Sequence, residues 1–255
     1  MSGPVLAGLD VAGAALTGHG ALGLDALGLD ALGLHEPGVA AATPRVAWTA
    51  AFVAWVLAVP MFFLTRFVYV VAHEAGHAIV AVALLRGVHA IRVRKDGGVT
   101  EHEAAMWPFS ILILAAGYLG ASGFGLLAAW LLVRGQTAMV LWASMALLFL
   151  MLFAVRGLLG LLLVPGLLYV LYQVATRADP VMQTLSAHVW TWFLLIASVQ
   201  RMLLYVQRKD YTNEKSDTAK LGALFVMPNE VWAFILLVAT IAALVWGGAL
   251  LLRLA

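Results

Sequence analysis

From Arg45 onward the chain alternates long apolar runs with short polar breaks. Seven runs, at 46–65, 67–85, 107–133, 137–155, 157–175, 185–206 and 231–252, approach or exceed the about 20 residues a helix needs to cross a bilayer. Lipid cannot satisfy exposed backbone N–H and C=O groups, so each run is predicted to be helical. Little more than Arg66 separates the first two, which form either a tight hairpin or one bent helix with Pro60 at the bend. The pattern predicts an all-α polytopic membrane protein of about six or seven transmembrane helices.

Two polar stretches carry most of the charge, at 86–103 and 207–220. Four runs lie between them, so both fall on one side of the membrane. With seven spans, 11 of the 15 Lys and Arg residues share that side and 4 lie opposite, which predicts that both stretches are cytoplasmic in a multi-pass inner-membrane protein. Within the first, "AIRVRKDGGVTE" alternates Ile91 and Val93, and later Val99, with polar residues around Asp96-Gly97-Gly98. That is the signal of a short β-hairpin after the second helix, whose edge strand could pair with an extended substrate.

Residues 1–44 differ from the rest. "ALGLDALGLDALGLHEP" (21–37) repeats a five-residue unit whose glycines oppose a stable helix. The stretch lacks the basic start and cleavage site of a signal peptide. It is expected to be a disordered tail, with residues 45–255 as the membrane domain. Composition agrees: 64% of the chain is hydrophobic, 11% is charged, and mean hydropathy is +0.98. The net charge of +2 gives no reason to expect a nucleic-acid partner. There is no cysteine, so a metal site must use histidines and carboxylates.

The chemistry sits in an apolar run. "VYVVAHEAGHAIVAVALL" (68–85) carries His73, Glu74 and His77, and ionisable groups at membrane depth are there for function. On a helix, residues four apart are separated by about 400° of rotation and about 6 Å of rise, so both imidazoles share one face. They suit two corners of a tetrahedral zinc site. Glu74, turned about 100° away, can act on a water at the metal without ligating it. This is the HExxH pattern of zinc metalloproteases, with the glutamate as catalytic general base. Ala75 and Gly76 let another helix or a substrate backbone approach closely.

A catalytic zinc usually has a third protein ligand. The candidates are His188, Asp179, Asp210, Asp217 and Glu230. Each also has a plain structural role: His188 as a packing residue, Asp179 before Pro180 as a turn residue, Glu230 or Asp217 as a helix cap. In "AAGYLGASGFGLL" (115–127), Gly117, Gly120, Gly123 and Gly125 are expected to allow close helix packing.

Taken in order, "HEAGHA" in an apolar run, "AIRVRKDGGVTE", "AAGYLGASGFGLL" and "SDTAKL" before the last run resemble the site-2 protease family of intramembrane zinc metalloproteases. The likeness is to a compact bacterial branch without a PDZ domain and covers about residue 62 to the C-terminus. It implies that His73 and His77 bind Zn2+, that Glu74 is the base, and that a late aspartate, by position Asp217, is the third metal ligand. Better-known members carry that aspartate in an Asn…Pro…Leu-Asp-Gly run, which this chain lacks. The implied activity is hydrolysis of membrane-embedded protein substrates near the cytoplasmic face. The reading from another class is a non-proteolytic zinc-binding scaffold or transporter, which would have no use for Glu74.

Overall fold

The computed structural model describes residues 44–94, 97–214, 216–225 and 227–253. The proposed N-terminal tail, up to residue 43, lies outside the described residues. Eight helices and three short strands follow in the order α1 (Pro44–Ala58), α2 (Phe62–Ala83), β1 (Val88–Arg94), β2 (Gly97–His102), α3 (Trp107–Val133), α4 (Thr137–Ala154), β3 (Val155–Arg156), α5 (Leu158–Arg177), α6 (Pro180–Gln207), α7 (Asp217–Phe225) and α8 (Asn229–Leu252). A 3-10 turn, Asp210–Thr212, lies between α6 and α7.

Five helices, α3, α4, α5, α6 and α8, are long and apolar enough to cross a membrane. The runs at 46–65 and 67–85 are not two separate spans. They become α1 and α2, joined at a break where the axis bends by 100°, and count as at most one further span. Among the described residues the number is thus at most six, the lower of the two expected. Pro60 sits in the break and cannot donate a backbone hydrogen bond. The Thr65 hydroxyl spans it, donating to the Leu57 carbonyl at 2.7 Å. Removing one span moves only Arg45 and what precedes it across the membrane, so the two charged stretches stay on a common side.

Small residues set the helix spacing. The buried face of α1 is Ala47, Ala50, Ala54 and Ala58, and α6 is its main partner. α2 crosses α3 where Gly76 meets Gly120; a Cβ on either would run into the other helix's backbone. α3, α6 and α8 pack on one another, while α4 and α5 pair with each other and leave much apolar surface outward. Asp179 caps α6, accepting from Val181 N and Met182 N at 3.0 Å each. Its role is therefore the structural one.

The expected hairpin is present, with β1 antiparallel to β2. Ile91 and Val93 are buried, whereas Val99 faces outward and is 41% exposed. β1 also pairs, in parallel, with the two-residue strand β3 between α4 and α5, giving the order β2-β1-β3. The sheet thus ties two inter-helix connections together on one side of the bundle and leaves the outer edge of β2 open.

Candidate active site

The side chains of α2 approach α3 and α7 at the base of a cleft of about 440 Å³. Its walls come from both charged stretches, with Arg94, Gly98 and Thr100 on one side and Asp210, Asn213 and Lys220 on the other. His73 Nε2 lies 3.2 Å from His77 Nε2. Asp217 Oδ2 lies 3.5 Å from the first and 3.3 Å from the second. Around an ion with ligands about 2.1 Å away, the edge of a tetrahedron is about 3.4 Å. The three donor atoms therefore have the spacing that a tetrahedral metal ion requires, and this is the one such His/Asp/Glu group among the described residues.

Two of the three donors are oriented by polar contacts of their own. His77 Nδ1–H donates to the Ile113 carbonyl of α3 at 2.7 Å, which leaves the Nε2 lone pair for a ligand. Gly117 of α3 stands where a Cβ would collide with both imidazoles, so its missing side chain makes their room. Asp217 opens α7, but it does not cap the helix. Ser216 does so, its hydroxyl accepting from Ala219 N at 3.2 Å. That frees the Asp217 carboxylate, which takes Lys220 Nζ on Oδ1 at 3.2 Å and turns Oδ2 to the histidines. Burial pushes its pKa up, but the hydrogen bonds and charge of the two imidazoles outweigh this and hold it well below the usual carboxylate range.

Glu74 is 1% exposed and off the face that carries the imidazoles. The Thr100 hydroxyl of β2 donates to Glu74 Oε2 at 2.6 Å. Gly98, two residues earlier and on the same face of the strand, leaves space for the same carboxylate, which a Cβ would strike. Sequence reasoning did not single out Thr100 and read Gly98 only as part of the hairpin turn. The period-2 alternation of the hairpin marks them as facing one way, but only the fold shows what they face.

None of the other third-ligand candidates joins the three donors. Asp210 pairs with Arg201 at 3.1 Å, and Glu230 stands in the first turn of α8, next to Asn229, without capping it. His188 is buried in α6 and bonds through Nδ1 to the Thr184 carbonyl of its own helix at 2.8 Å. Of the four glycines of α3, Gly117, Gly120 and Gly125 stand where a Cβ would crowd a neighbouring helix, while a Cβ at Gly123 would meet no other group within 4 Å.

A bundle of membrane-length helices with a helix-borne HExxH pair facing an aspartate has the make-up of a membrane-embedded metallopeptidase. The comparison with family models agrees: Peptidase M50B-like matches residues 46–247, and the chain belongs to that family, within the site-2 proteases. Neither curated proteins nor solved structures gave a significant match.

Proposed function

We propose that this chain is an intramembrane zinc endopeptidase of the cell's inner membrane. His73, His77 and Asp217 would hold Zn2+, Glu74 is the general base, and the substrates are membrane-embedded proteins cut near the cytoplasmic face. The observation that carries this reading is the tetrahedral spacing of the three donor atoms, with a buried carboxylate on the same helix that is not one of the three. A bound zinc supplies Lewis acidity, acidifying a water and polarising a peptide carbonyl. Glu74 takes the proton of the attacking water and returns it to the leaving amine. Thr100 keeps its carboxylate aimed during both transfers. An intact helix shields its own amides, so the substrate must be extended first, and the open edge of β2 offers backbone groups to an extended strand. The polar cleft between the two charged stretches gives water its way in.

The test separates base from ligands. Glu74→Gln keeps zinc, read by mass spectrometry of the purified protein, and lowers cleavage of a labelled single-span peptide by at least about 10²–10⁴-fold. Loss of zinc from Glu74→Gln as complete as from His77→Ala makes Glu74 a ligand and overturns the mechanism. A wild type that binds zinc but cleaves no membrane peptide favours the scaffold reading.

A further inference from the structure

Buried hydroxyls in folded proteins have hydrogen-bond partners, and one left without is destabilising. Tyr69 breaks this rule beside the site. It lies one helical turn before His73 on the face that carries both imidazoles, its ring centroid 6.0 Å from that of His73. It is 2% exposed and lines the cleft with His73, Glu74 and His77. No group among the described residues partners its hydroxyl.

Several neighbouring donors are engaged. Thr100 is bonded to Glu74, Lys220 to Asp217 and Arg201 to Asp210. Tyr205 shares a 2.6 Å bond with Thr218, and the Tyr118 ring packs against it with centroids 5.5 Å apart. His73 Nδ1 is also unpartnered, but it belongs to the ring whose Nε2 faces Asp217. When water adds to a peptide carbonyl, negative charge develops on the carbonyl oxygen, and a preorganised donor there lowers the barrier. We infer that the Tyr69 hydroxyl is the hydrogen-bond donor to the carbonyl oxygen of the scissile peptide. The phenol keeps its proton and contributes a bond that strengthens as charge builds. The inference rests on the peptidase reading above, and it explains why a hydroxyl is kept at a buried position where phenylalanine would fit.

The test is Tyr69→Phe, because the two roles predict different results. A hydroxyl that bonds to nothing in the protein leaves no orphan when removed, so thermal stability is unchanged or raised and zinc content is unchanged. Cleavage of the labelled single-span peptide falls by about 10²–10³ in kcat, with KM little altered. Acetohydroxamate, titrated spectroscopically into the cobalt-loaded protein, binds about tenfold or more weakly to the variant, independent of any peptide. Ring-fluorinated tyrosine at position 69 keeps the hydroxyl, so its fluorine NMR shift on adding hydroxamate provides a reading even where Tyr69→Phe fails to fold. Wild-type cleavage and hydroxamate affinity in Tyr69→Phe, loss of its metal, or an unmoved fluorine signal each overturn the inference. Glu74→Gln run alongside tells the two levels apart. If it still cleaves, the general-base reading fails; if it is dead while Tyr69→Phe is fully active, only the role of Tyr69 fails.

Discussion

The crossing of α2 with α3 and the first half of α6 each bury one histidine, to nearly the same degree: His77 is 6% exposed and His188 4%. Both send Nδ1 to a backbone carbonyl. The difference lies in whose carbonyl it is. His188 bonds four residues back along its own helix, a link any isolated helix could make. His77 bonds across to α3, 36 residues on, and its other nitrogen meets His73 and an aspartate from α7. Burial and residue type do not distinguish a site from a packing position; convergence of separate chain segments does. The same contrast divides two aspartates at helix starts. Asp179 gives its carboxylate to its own helix's amides, while Asp217 is relieved of that task by Ser216.

The sharpest test of the comparison is His77→Ala beside His188→Ala. The first loses zinc and all measurable cleavage. The second keeps full zinc by mass spectrometry and loses only stability, about 1–3 kcal/mol in a denaturation midpoint. Metal loss from His188→Ala would erase the distinction. Next in size, Asp217→Ala leaves an under-coordinated two-histidine site that releases metal to a weak chelator, whereas Asp179→Ala costs about 0.5–2 kcal/mol of helix capping and leaves the metal in place. If Asp217→Ala retains zinc and activity, the third ligand lies elsewhere. Smaller again is Gly117→Ala. Its methyl group displaces both imidazoles, and metal affinity falls by about 10–100-fold; Gly123→Ala, with open space around it, serves as the silent control. Smallest is Thr100→Val, which keeps the metal and lowers kcat by about tenfold, with Thr100→Ser restoring it. Equal activity in Val and Ser would mean the hydroxyl does not steer Glu74.

What the sequence revealed follows from range. The HExxH helix and the hairpin are local patterns of period 3.6 and 2, and both were legible without a fold. Pro60 marked where α1 and α2 part, but no local rule sets a bend of 100°. Asp217 stands 140 positions after His77, and its residue type and setting suited a helix cap equally well. Only the resemblance singled it out, and only the Ser216 bond explains why the carboxylate is free. Thr100, Gly98 and Tyr69 owe their interest to how β2 lies on α2 and to which neighbours are already bonded, which no single-chain periodicity records. The two-residue strand β3 is too short to leave any pattern at all.

The position of α7 along the chain has a consequence in time. Ribosomes deliver α2, with both imidazoles, before α3 to α6, and the short helix bearing Asp217 emerges only after all of them. Until then the nascent protein holds two histidines of the proposed centre without its third corner. On the proposed zinc reading, metal capture would be a late event of biogenesis, gated by translation itself. A chain arrested before Asp217 would sit in the translocon environment, among other unfinished membrane segments, without the means to cut them.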